Sequence, residues 1–312
     1  MKVLLTGGTG FIGPHLVDTL TSDGHELLCP VRRPPAAIGR QAAEFITADL
    51  NDPLQLKQGV DVIIHCAGTA PASGRGAADI VADNLNPTRR LIEFALRRPP
   101  KIFIYFSTMS VYGAVAVPVV DESTPIVNPS AYGMAKLLSE ELLSAEVAAF
   151  PTIALRLPAV LGAGAWGHWL SFMLAKAYRH DPIRIFNPSA RFNNAVDLSD
   201  LLAFISALIR MEHRGFERLT LSFEDSVSIE EAATTLLEAV GSESQLEIVD
   251  AVRPSFTIDS SRARDHFGFR SRSCREAIAG YGLTPPALQS GYDDDVRVIA
   301  ASGSMTAARQ AP

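Results

Sequence analysis

The chain has 312 residues, 47% of them hydrophobic, and a formal net charge of −6. That is enough apolar material for one large domain or a domain with a smaller lobe, and the acidic balance excludes a basic footprint for nucleic acid. No apolar run reaches the roughly 18 residues that span a bilayer. Three dispersed cysteines, Cys29, Cys66 and Cys274, offer no metal-ligand spacing, and a strand begins within the first few residues; the expectation is a cytoplasmic protein with reduced thiols and no signal peptide.

Lys2-Val-Leu-Leu-Thr reads as a short buried strand. Gly7, Gly10 and Gly13 follow, then Leu16, Val17 and Leu20 at helical spacing. Strand, glycine turn and helix form the dinucleotide-binding corner of a Rossmann unit. Gly7 permits the tight turn, Gly10 lets the backbone approach a pyrophosphate, and Gly13 lets the helix pack close. Pro14 sits in the first turn, where it has no hydrogen bond to lose, and the helix N-terminus turns free N–H groups toward the phosphates.

A second strand within residues 24–33 ends at Val31, where an NAD site usually carries a carboxylate; here Arg32 and Arg33 follow. Arg32 suits a 2′-phosphate and so favours NADP over NAD; the alternative is two solvated arginines. Phe45-Ile-Thr-Ala-Asp-Leu50 reads as a third strand, with Asp49 either meeting the adenine amine or capping a helix near Asp52-Pro53. Residues 60–68 form a fourth, almost continuously apolar strand, as in a parallel sheet buried on both faces. Ala67 and Gly68 at its end leave room for a cofactor, and His65 reads as a packed strand residue. A helix from about Ala78 to Arg98 carries Asn84 near its start and ends at Pro99-Pro100.

Lys101 to Phe106 is a fifth strand. It places Ser107 and Thr108 at a carboxyl end, where open α/β sheets bind ligands. Tyr132 and Lys136, four apart on a predicted helix, share one face. A hydroxyl at a strand end beside a Tyr–Lys pair is a proton-transfer constellation. A phenol has a pKa near 10; a neighbouring ammonium and a cationic nicotinamide would lower it toward neutrality.

At these residues the chain resembles the extended short-chain dehydrogenase/reductases, the family of NAD-dependent epimerases and dehydratases. The resemblance runs from Lys2 to about Arg272. It rests on Thr6-Gly-Gly-Thr-Gly-Phe-Ile-Gly13, Asp49-Leu50, His65-Cys-Ala-Gly68, Asn84, Ser107-Thr-Met-Ser-Val-Tyr-Gly113, Asp121-Glu-Ser-Thr-Pro125, Tyr132-Gly-Met-Ala-Lys136, Leu155-Arg-Leu-Pro158 and Asp259 to Phe269. It implies an α/β fold: a Rossmann, doubly wound parallel sheet with a smaller C-terminal substrate-binding lobe. It also implies that Tyr132 is the general acid/base, that Lys136 binds the nicotinamide ribose and tunes Tyr132, and that Thr108 holds the reacting oxygen. Implied cofactor contacts are Gly7, Gly10, Phe11, Ile12 and Gly13 in the turn; Arg32, Asp49 and Leu50 toward the adenosine; and Ala67, Asn84, Ser107 and Pro158 around the ring.

Two departures bear on substrate. Met109 and Ser110 stand where dehydratases of the family carry an acid pair, so elimination of water lacks its acid and base. Ala159 replaces an Asn that binds phosphate in many nucleotide-sugar enzymes. The arginine that grips a nucleotide diphosphate would be Arg191, or Asn193 would take its place. Domain boundaries are expected at 1–160 (Rossmann, with returning segments near 191–215), 161–284 (mainly substrate lobe) and 285–312 (mobile tail). Within the lobe, 162–169 is a loop that either anchors a lid or touches substrate.

The expected function is NAD(P)-dependent hydride transfer at a hydroxyl or keto carbon of a nucleotide-activated sugar, by epimerisation or keto reduction. The alternatives are an NADPH-dependent reductase of a non-sugar ketone or aldehyde, and a non-catalytic dinucleotide sensor. No metal, nucleic acid or membrane partner is expected. A homodimer would use helices over about Pro87 to Arg97 and Ala135 to Ala149, with Leu137, Leu138, Leu142 and Leu143 compatible with it.

Overall fold

The computed structural model describes residues 1–34, 43–56, 58–71, 74–250 and 254–285; the expected tail beyond residue 285 lies outside them. In chain order the strands are β1 (Lys2–Thr6), β2 (Glu26–Val31), β3 (Glu44–Thr47), β4 (Val62–His65), β5 (Ile102–Thr108), β6 (Val119–Val120), β7 (Thr152–Leu157), β8 (Ala159–Leu161), β9 (Ile183–Ile185), β10 (Arg191–Phe192), β11 (Ala195–Asp197), β12 (Phe216–Thr220), β13 (Val227–Ser228), β14 (Leu246–Ile248) and β15 (Thr257–Ile258). The α-helices are α1 (Gly13–Ser22), α2 (Ala77–Arg97), α3 (Ala131–Ala145), α4 (Trp169–Tyr178), α5 (Leu198–Leu208), α6 (Ile229–Val240), α7 (Ser261–Phe267) and α8 (Cys274–Gly282).

Seven parallel strands make one sheet in the order β12-β7-β5-β4-β1-β2-β3. The order reverses beside β1, between β2 and β4, which is where doubly wound sheets open a ligand crevice. β4 and β7 are buried along their whole length, because helices cover both faces. On one face Leu91 and Phe94 of α2 and Leu143 of α3 meet Phe103 and Phe150. On the other, Leu16 and Leu20 of α1 and Phe204 and Leu208 of α5 pack on Leu5, Ile64 and Ile104. A second apolar cluster builds the lobe from α4, α6 and α8, around Leu174, Leu236 and Ile278. Among the described residues no helix is long and apolar enough to cross a membrane.

Three local expectations need correction. β5 runs two residues past Phe106, because Ser107 and Thr108 pair in register with Arg156 and Leu157 of β7. No helix starts near Asp52; Asp49 Oδ1 instead accepts from the Asn51 amide at 2.9 Å and closes a turn. The seventh strand, β12, lies beyond the returning segments read near 191–215, and α7 with Phe269 also joins the sheet's core. Its β-branched and apolar content is low (Phe-Glu-Arg-Leu-Thr), so an edge strand was hard to read there.

Candidate active site

The glycine turn has geometry that a side chain would disturb. Gly7 has φ +75°, and a Cβ on it would lie 2.7 Å from the Ala67 amide nitrogen. Its carbonyl accepts from the Gly10 amide at 2.9 Å. A Cβ on Gly13 would collide with the Gly7 carbonyl and with Gly8. α1 begins directly after this turn, has Pro14 in its first turn, and carries no side-chain cap. Its first N–H groups are thus left to an anion. This cradle fits a dinucleotide pyrophosphate.

A cavity of about 1590 Å³ joins the turn to the lobe. Gly7, Gly10, Phe11, Ile12 and Gly13 line it, as do Thr108, Tyr132, Pro158 and Arg191. Pockets for one small ligand hold roughly 300–1,000 Å³, so this one has room for a dinucleotide and a second extended molecule. Its only carboxylates among the described residues are Asp181 and Glu247. They pair with Arg179 and Arg184 respectively. Among the described residues that line the cavity, no acid stands beside Thr108.

Thr108 ends β5 and Tyr132 opens α3, whose N-cap Ser130 accepts from the Gly133 amide at 3.2 Å. Thr108 Oγ1 accepts from the Ser110 amide at 3.2 Å and donates to Ser110 Oγ at 3.3 Å, and both Thr108 and Tyr132 line the cavity. The helix seats tightly: a Cβ on Gly133 would collide with the Ser110 carbonyl. Burial pushes the phenol up to about 12, with the neighbouring Thr108 hydroxyl opposing. Lys136, the expected depressor, donates instead to the Phe106 carbonyl at 2.9 Å and lies 4.9 Å from the Tyr105 ring centre. Burial lowers the Lys136 ammonium to about 8, against the opposing influence of Cys66 and Glu140.

Other expected contacts stand behind the cavity wall. Asn84 is buried and uses its whole amide on backbone: Oδ1 accepts from Thr69 N at 3.2 Å, and Nδ2 donates to Thr69 O at 3.0 Å and Ile80 O at 2.8 Å. It ties the loop after β4 to α2. Ser107 is buried, and its hydroxyl donates to Glu140. Ala67 donates its amide to Thr6 Oγ1 at 3.3 Å. Arg32 and Asp49 are exposed and Leu50 is half-buried; none of the three is on the wall. His65 is packed as expected, between Thr6 Oγ1 at 2.7 Å and Thr88 Oγ1 at 3.1 Å.

At the lobe the two candidates separate. Arg191 lines the cavity, with its guanidinium on Ser226 and 3.9 Å from Glu231. Asn193 is corrected: its amide clamps the Ile258 backbone by two 2.8 Å bonds, and it is not among the residues that line the cavity. Sequence reasoning missed Asn194, the next residue, and gave His168 no role of its own. Both line the cavity. Asn194 Oδ1 and His168 Nε2 are buried without a hydrogen-bond partner. His168 Nδ1 accepts from the Ser171 amide at 3.2 Å as the N-cap of α4, so the neutral ring carries its proton on Nε2. The doublet Asn193-Asn194, in the link between β10 and β11, was the available signal.

The family model for the NAD dependent epimerase/dehydratase family matches residues 3–217. An uncharacterized UDP-glucose epimerase, YtcB, of Bacillus subtilis is 27% identical over 288 residues, covering 85% of this chain and 91% of that protein. A dTDP-6-deoxy-L-talose 4-dehydrogenase (NAD(P)(+)) of Kitasatospora kifunensis is 29% identical over 307 residues, covering 89% and 93%. Among solved structures, MoeE5 in complex with UDP-glucuronic acid and NAD superposes with a TM-score of 0.76 at 26% identity, covering 89% of this chain and 97% of that one.

Proposed function

Because the chain belongs to the NAD dependent epimerase/dehydratase family, we propose that it is an NAD(P)-dependent enzyme that epimerises a nucleotide-activated sugar at a secondary hydroxyl. The observation that carries this reading is that Thr108 and Tyr132 share one cavity wall with the glycine turn. The relatives named for UDP-glucose epimerisation and UDP-sugar complexes support the substrate class.

A nicotinamide dinucleotide, when bound, supplies the hydride acceptor and donor. Gly7, Gly10 and the start of α1 would hold its pyrophosphate, Lys136 would hold the ribose, and Pro158 would stand beside the ring. Tyr132 takes the proton from the substrate hydroxyl and returns it to the carbonyl oxygen. Thr108 donates to that oxygen and keeps it within reach of the phenol. Arg191 faces the diphosphate. A cavity of about 1590 Å³ leaves the ketone room to turn over. Dehydration is disfavoured, because Met109 and Ser110 bring no carboxylate to Thr108.

Arg32 after β2 favours a second reading, keto reduction with NADPH. One experiment separates the two. The purified protein is assayed for interconversion of UDP-glucose and UDP-galactose, with and without added dinucleotide, and its bound dinucleotide is identified. Bound NAD and turnover without added cofactor are the expected result; strict dependence on NADPH with a reduced product would replace epimerisation by reduction. A homodimer through α2 and α3 belongs to the same proposal. Met134 and Leu138 are exposed on α3 and Leu96 on α2, whereas Leu137, Leu142 and Leu143 serve the chain's own core. Sedimentation of the purified protein tests it.

A further inference from the structure

Directly behind the site lies a cluster of buried charge that the mechanism does not use. Glu140 is fully buried and Arg156 is 2% exposed. Arg156 Nη2 meets Glu140 Oε2 at 2.7 Å, and its Nε reaches both carboxylate oxygens, at 3.1 and 3.3 Å. Arg156 Nη1 donates to the Tyr112 hydroxyl at 2.9 Å, which donates to the Asp121 carbonyl at 2.7 Å. Arg218 adds a 3.0 Å contact to Glu140. Ser107 donates its hydroxyl to the same carboxylate.

Ser107, Glu140 and Arg156 each lie within four residues of a working residue. Ser107 precedes Thr108. Glu140 lies one helical turn beyond Lys136, on the same face of α3. Arg156 sits two residues before Pro158. Tyr112 ends the short turn that carries Met109 and Ser110. One carboxylate thus ties together the end of β5, the helix α3 and the end of β7, the three elements that bring Thr108, Tyr132 with Lys136, and Pro158 to the cavity.

We propose that the Glu140–Arg156 pair is the positioning device of this active site, registering the strand ends against α3 and holding a negative charge one turn from the Lys136 ammonium. The inference rests on the proposed function. Around Lys136 stand His65 and Cys66 at the end of β4, Tyr105 on β5, Asn84 on α2, and Tyr132 and Glu140 on its own helix. Burial keeps His65 and Cys66 uncharged near neutral pH. Glu140 is therefore the anion among these neighbours, and a pair kept only for packing would be replaceable by apolar side chains at little cost.

The test compares the full-length wild type with Glu140→Gln and with the double variant Glu140→Gln, Arg156→Met, reading thermal midpoint, kcat, KM and dinucleotide affinity across pH. In Glu140→Gln kcat is expected to fall at least about tenfold, with KM changing less than about threefold. Loss of the anion weakens the protonated lysine, so the alkaline limbs of kcat and of dinucleotide affinity move to lower pH by about one unit. The double variant recovers the thermal midpoint, but not kcat or the alkaline limb. It also stands in if the single variant fails to fold. Wild-type kcat and pH profile in Glu140→Gln, or full recovery of both in the double variant, would overturn the proposal. If the wild type turns over no nucleotide sugar, the proposed function fails by itself, and the affinity profile still decides the role of the pair.

Discussion

A Cβ placed on Gly68 would lie 3.3 Å from Lys136 Nζ and 2.6 Å from Asn84 Oδ1. The end of β4 is therefore bare so that the ammonium can stand against it. Asn84 cannot yield easily, since its amide holds Thr69 and Ile80. Gly68→Ala is expected to destabilise the fold by about 1–3 kcal/mol, as overpacking does, and to weaken dinucleotide binding by displacing Lys136. Denaturant unfolding and a binding titration check it; an unchanged midpoint with unchanged affinity would show that the ammonium has slack.

Lys136 itself should cost stability. Its pKa is lowered from 10.5 to about 8 by burial, so between those values the unfolded chain binds more protons than the folded one. Stability then rises with pH across that window, and the penalty is fully present below about pH 8. Lys136→Met removes it, less the bond to Phe106, and is expected to be about 1–2 kcal/mol more stable at pH 7. The advantage should shrink as pH climbs from 8 toward 10.5, where the wild type sheds the buried charge. Turnover should be lost at every pH. Thermal midpoints of both proteins across this range are the measurement.

His168 makes the fold acid-sensitive. Burial lowers its pKa from 6.5 to about 4, so the unfolded chain takes up the extra proton between these values. Stability contributed by the neutral ring is present above pH 6.5 and is lost as pH falls toward 4. Asn also caps helices well, so His168→Asn should match the wild type near neutrality and lose less stability on acidification. If substrate accepts the Nε2 proton, the same variant raises KM with kcat little changed. An acid limb identical to that of the wild type would place the sensitivity in other groups.

The fold was legible where local signals agreed. Gly7, Gly10 and Gly13 sit between a strand and a helix, and the near-continuous apolar runs of β1 and β4 mark a doubly buried parallel sheet. Tyr132 and Lys136 could be placed on one helix by spacing alone. What failed needed tertiary information. Asp49 closes a turn rather than capping a helix, because nothing helical follows it. Asn193 and Asn194 are adjacent, and only the pairing of Asn193 with Ile258 shows that its neighbour faces the cavity. The Ser107–Glu140–Arg156 cluster is invisible in one sequence, since its members are brought together by three separate elements.

The most direct test of the central claim is turnover by Tyr132→Phe, with bound dinucleotide measured in the same samples. The phenol hydroxyl moves the proton, while the ring is retained for packing. Activity is expected to fall about 10²–10⁴-fold, as loss of a general acid/base does, with dinucleotide binding within about twofold of the wild type. Turnover like that of the wild type would contradict the assignment of Tyr132 and leave Thr108 and Lys136 without the partner they serve.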